Sequence, residues 1–168
     1  MSAAPVLFGL TALGVFHAAI GVAALAVGVG AYVVEREIRA PSSLGRLYIA
    51  LTFVTAATAL GIFQHGGFGP PHALALLTLA ALAGGLVASA GAFGGFSRTV
   101  AVVCFASTFL FHLIPAVTES LTRLPLGGPL VASQDAPIFP PIYGGLFVLF
   151  LIGVGLQLKG LRAARRSG

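Results

Sequence analysis

Residues 98–123 read RTVAVVCFASTFLFHLIPAVTESLTR. The stretch is bounded by Arg98 and Arg123, and the apolar run between them is long enough to cross a hydrocarbon core of about 30 Å, which takes roughly 20 helical residues. It also carries residues that lipid excludes. Cys104, Thr108, His112, Pro115 and Glu119 follow one another at spacings of four, four, three and four. On a helix those spacings place all five on one face. A face of that kind turns away from lipid, toward other helices. Pro115 has no amide to offer the carbonyl of Phe111, which leaves that oxygen beside His112 as an acceptor. Glu119 and Arg123 are four apart in the favoured acid-before-base order, and the expected arrangement is an ion pair near the membrane surface.

The rest of the chain agrees with a lipid setting. Of 168 residues 58% are hydrophobic and 8% charged, too little polar surface to cover a water-soluble domain of this size. The net charge of +5 comes from basic residues at the ends of apolar runs, where they act as topology anchors. A nucleic-acid partner requires a basic, polar face, which is missing. Cys104 is the single cysteine, so one chain can form neither a disulfide nor a thiolate metal cluster. No basic segment precedes the first apolar run, so that run reads as a retained helix and not as a cleaved signal.

Working outward, the predicted architecture is an all-α membrane protein, a single five-transmembrane-helix bundle over residues 1–168. The helices are expected at about 6–34, 47–63, 73–96, 99–121 and 142–158. A Pro/Gly-rich outer loop is expected at 125–141, where PLGGPLVASQDAPIFPP cannot hold a helix. Arg36, Arg39, Arg46, Arg98, Lys159, Arg162, Arg165 and Arg166 all fall on one side, and only Arg123 falls on the other. Under the positive-inside rule the N-terminus is then outside and the C-terminus cytoplasmic. Gly14, His17, Gly21, Ala24 and Gly28 recur at spacings of three and four and line one close-packing face of the first helix, which points His17 into the bundle. Thr55, Thr58 and Gly61 do the same for the second helix.

Four histidines then stand out. Counting from Glu35, Arg98 and Arg46 at 1.5 Å per residue puts His17, His112 and His65 roughly 27, 21 and 28 Å from the inner boundary, in the outer half of the membrane. His72 opens the third helix at the same side. Neutral imidazoles from separate helices can hold a transition metal or serve as axial ligands to a haem. The candidate metal ligands are therefore His17, His65, His72 and His112, with His17 and His112 the candidate cofactor ligands. Against this, each histidine can simply bond a carbonyl or a threonine. Neither a hydrolase nucleophile nor a phosphate loop is recognisable.

His17-Ala-Ala-Ile-Gly21, Leu44-Gly-Arg-Leu-Tyr48, His65-Gly-Gly and His72-Ala-Leu together resemble an uncharacterised bacterial family of small multi-pass inner-membrane proteins, over roughly residues 9–92. Members often carry a histidine just before the L-G-R-x-Y entry, where this chain has Pro41-Ser42-Ser43. The resemblance implies a multi-pass membrane fold and carries no activity.

The functional expectation is a bacterial inner-membrane protein with a histidine-lined site in the outer leaflet that binds a metal ion or haem for redox chemistry. The alternatives are a non-catalytic accessory or assembly subunit, packed on a membrane-protein partner or on copies of itself, and a small-solute or lipid carrier. Proton relay or quinone contact by the histidines is a further option.

Overall fold

Five α-helices in chain order make up the computed structural model, which describes residues 10–63 and 67–166: α1 Ala12–Glu35, α2 Ser43–Ala59, α3 Pro70–Ser89, α4 Ser97–Arg123 and α5 Phe139–Arg166. A short 3-10 turn, Gly94–Phe96, precedes α4. The five-helix expectation holds. Four of the helices are long and apolar enough to cross a membrane, and α2 is a shorter apolar helix.

The helix ends differ from expectation, each for a local reason. Thr11 starts α1, its hydroxyl accepting from the Gly14 amide at 3.1 Å, so the helix begins later than Val6. Residues 6–9 lie outside the described residues. Ser42 caps α2 in the same way, accepting from the Gly45 amide at 2.9 Å. That cap moves the helix four residues toward the N-terminus of the expected range, and it ends at Ala59. Helix α3 takes Pro70 and Pro71 in its first turn, where their missing amides cost nothing. It stops at Ser89 and not at Phe96, because the chain turns at Gly91 with a φ of +90° that suits glycine. Helix α4 exceeds its expected range by two residues at each end. Helix α5 starts at Phe139, with Pro140 and Pro141 in its first turn, and continues through the basic tail to Arg166.

Helix α1 packs on α2, α2 on α3, and α3 on α4, while α4 also touches α1, which closes a four-helix ring. Helix α5 packs on the outside of α4. Small residues let the helices approach: Ala24, Ala31, Ala56, Ala75, Ala88, Ala101 and Ala106 are all buried. Gly28 is the tightest point of α1. A Cβ there would meet the Phe109 ring at 2.8 Å and the Tyr48 ring at 3.0 Å. Large apolar side chains such as Val22, Val29, Leu149, Ile152 and Leu156 point outward, as they do on a surface bathed in lipid.

Both ends of the ring are tied. At one end Glu37, in the α1–α2 connection, pairs with Arg98 at the start of α4 and stands 3.8 Å from Arg39. At the other end the 124–138 segment folds back over the end of α4: the Val131 amide donates to the Leu121 carbonyl at 2.9 Å and the Leu130 amide to the Leu124 carbonyl at 3.1 Å.

Candidate functional site: a polar string inside the helix ring

Helices α2 and α4 stand across the ring from each other, and long polar side chains bridge them. Tyr48, Thr52 and Thr55 share one face of α2 at the i, i+4, i+7 spacing, turned inward, and all three are buried. On α4, Thr108 and His112 share the facing side and are buried too. The Tyr48 hydroxyl lies 2.9 Å from Thr108 Oγ1, and His112 Nε2 lies 3.1 Å from Thr52 Oγ1. The Thr52 hydroxyl also lies near the Tyr48 hydroxyl.

The direction of these bonds follows from their inner end. The Thr108 hydroxyl donates to the Phe105 carbonyl at 2.7 Å, so toward Tyr48 it can only accept. Tyr48 therefore donates to Thr108, and its oxygen keeps the capacity to accept. A Thr52 proton directed at that oxygen leaves Thr52 to accept from His112. With that direction the string runs from His112 Nε2–H through Thr52 and Tyr48 to Thr108 and the Phe105 carbonyl, and the neutral His112 ring keeps a lone pair on Nδ1.

His17 reaches the same helix one turn further along. Its Nδ1 lies 3.0 Å from the Thr55 carbonyl and 3.2 Å from Thr58 Oγ1. A carbonyl only accepts, and the Thr58 hydroxyl is already donated to the Val54 and Thr55 carbonyls at 2.8 and 3.0 Å. Nδ1 must therefore carry the proton, and the lone pair sits on Nε2. Both His112 and Glu119 lie within electrostatic range of His17. Aromatic rings enclose the string: Tyr48 meets His112 edge-on at 6.2 Å, and Phe109 meets Tyr32 edge-on at 5.1 Å.

The sequence-predicted residues sort as follows. His17, on α1, and His112, on α4, both hydrogen-bond to α2, His17 at Thr55 and Thr58 and His112 at Thr52. His112 bonds Thr52 across the ring, and not the Phe111 carbonyl of its own helix. His72 is not drawn into that pair. It stacks on Phe63 at 4.6 Å, lies 5.2 Å from the Phe68 ring, and accepts from the Gly69 amide at 3.2 Å. Its task is to cap α3. His65 lies outside the described residues. Among the described residues no three His, Cys, Asp or Glu side chains gather where they could hold a metal ion. Glu119 and Arg123 form the expected ion pair, and Gln134 donates to the second carboxylate oxygen at 2.9 Å.

Tyr48 and Thr52 are the members that sequence reasoning missed. Tyr48 reads as an interfacial anchor because it follows Arg46. The signal that finds both is the Tyr48, Thr52, Thr55 spacing, one polar face on an otherwise apolar helix. No protein-family model, curated protein or solved structure matches the chain.

Proposed function

We propose that this is a multi-pass protein of the bacterial inner membrane, N-terminus outside and C-terminus cytoplasmic, whose His17–His112 pair takes up and releases a proton from the outer side. The observation that supports this reading is that each ring is held to α2 through one nitrogen, His17 through Nδ1 and His112 through Nε2. Each ring uses its N–H for a bond to α2 or its side chains and keeps the other nitrogen as a base. A proton arriving at His17 Nε2 or His112 Nδ1 breaks none of the existing bonds. Like charges on neighbouring rings repel, and on this reading the pair holds one added proton. Glu119, near the end of α4 that is outer in this orientation and partly exposed, is the natural donor and acceptor toward water. At the inner end the string stops on the Phe105 carbonyl, which carries no proton onward. The arrangement suits a proton-coupled site better than a channel.

A second reading is favoured by one detail. An imidazole whose Nδ1–H is held by a backbone carbonyl is oriented as metal-bound and haem-bound histidines are, with Nε2 free to ligate. His17, with His112 as its companion, would then serve a haem or transition metal. An ultraviolet-visible spectrum and metal analysis of the purified protein separate the readings. A Soret band or stoichiometric metal that is lost in His17→Ala supports ligation. A colourless, metal-free protein in which one proton is bound per His17–His112 pair supports the proton site.

A further inference from the structure

A cleft of about 780 Å³ runs between α4 and α5, within the size range of ligand sites. Its walls are apolar, including Phe109 and Leu110 from α4 and Phe150 and Val154 from α5. One end carries charge: Arg36, at the end of α1, and Arg98, at the start of α4, line it together with Glu37, which pairs with Arg98. We propose that this cleft binds one anionic phospholipid, with an acyl chain along the apolar walls and the phosphate against Arg36 and Arg98. The proposal rests on the proposed membrane orientation, with the Arg36 and Arg98 end cytoplasmic, and is independent of the histidine pair.

Three observations carry it. Gly153 and Gly160 line the cleft on the α5 side, and a Cβ added at either would meet nothing within 4 Å, so no helix of this chain uses the space they leave. A flexible hydrocarbon chain fits such a backbone-floored groove. The charge at that end is also incompletely used. Glu37 is shared between Arg98 and Arg39, whereas Arg36 makes no ion pair among the described residues. A basic pocket between membrane helices at the cytoplasmic side recognises anionic headgroups. Finally, charge disfavours the other obvious occupant. A second copy in the same membrane has the same orientation, so docking its α5 in the cleft would bring its Lys159 and Arg162 level with Arg36 and Arg98.

The test is native mass spectrometry of the full-length protein extracted from bilayers of equal phosphatidylglycerol and phosphatidylcholine with matched chains. The expected result is one retained phosphatidylglycerol per chain, favoured about fivefold or more over phosphatidylcholine, at about 1 kcal/mol per basic residue near the headgroup. Arg36→Gln should reduce that preference about fivefold. Gly153→Leu or Gly160→Leu should expel both lipids, and Gly144→Leu, outside the cleft, should change nothing. Circular dichroism and monodisperse elution show which variants fold, and Arg36→Gln reads the site without adding bulk. Equal retention of the two lipids, or unchanged retention in the leucine variants, overturns the proposal. So does efficient cross-linking between Gly153→Cys copies in intact membranes, which would mean that a second chain fills the cleft.

Discussion

His112 Nε2 and Thr52 Oγ1 meet at 3.1 Å although they are sixty residues apart in sequence and belong to helices on opposite sides of the ring. The contact is buried, and it joins the histidine to a run of hydroxyls that ends on the Phe105 carbonyl. Its consequences can be measured one residue at a time.

Replacing Thr52 with valine removes the acceptor for His112 and the donor for Tyr48 in one step. We expect a loss of about 1–2 kcal/mol, the range for a buried polar group left unpaired within a membrane bundle. Thr52→Ser keeps the hydroxyl and should retain most of the stability. Reversible unfolding in mixed micelles reads the difference.

Gly28 faces both Phe109 and Tyr48, and Gly28→Val inserts side-chain atoms where even a Cβ lies 2.8 Å from a ring. Overpacking of this kind costs about 1–3 kcal/mol and should displace Tyr48 from Thr108. Gly30→Ala is the control, since a Cβ there meets nothing within 4 Å. A thermal melt in detergent should show the first variant destabilised and the second unchanged.

Topology is tested by labelling single cysteines in a Cys104→Ser background. Ser133→Cys, in the segment over the end of α4, should react with an impermeant reagent from outside, and Arg162→Cys only after the membrane is opened. Labelling of Ser133→Cys from the cytoplasmic side alone would reverse the proposed orientation.

The Glu119–Arg123 pair is partly exposed, with side-chain exposures of 41% and 24%. Glu119→Gln should therefore change global stability by less than about 1 kcal/mol. Its effect should appear in the rate at which His17 exchanges its proton with the outer solution, measured by exchange-sensitive NMR.

Much of this arrangement is legible in the sequence, because lipid imposes a simple rule. Apolar runs of spanning length mark the helices, and the spacing of Thr108 and His112 marks the inner face of α4. The helix ends are less legible. Loss of hydropathy marks where a span stops, not where a helix stops, so Leu158-Lys-Gly-Leu-Arg-Ala-Ala-Arg-Arg166 continues α5 well past the apolar run. The reverse holds at Gly91, where an apolar run goes on but the backbone turns. Pairing between distant helices is the least legible feature. Tyr48 stands two residues after Arg46, as interfacial tyrosines do; the Tyr48, Thr52, Thr55 spacing marks an inward polar face, but only the position of α4 across the ring shows that its partner is Thr108. For the histidines, depth alone groups His17, His72 and His112 toward one end. Rotation about each helix axis decides that His72 caps α3 while the other two meet α2.

The central claim is the tautomer assignment of the two interior histidines. It can be measured by solid-state NMR of ¹⁵N,¹³C-histidine-labelled protein in lipid bilayers, with His17→Gln and His112→Gln spectra to assign the signals. The account predicts one neutral ring protonated on Nε2, lost in His112→Gln, and one neutral ring protonated on Nδ1, lost in His17→Gln. A His112 ring that carries its proton on Nδ1, or a His17 ring that carries it on Nε2, contradicts the donor string and the proton site built on it.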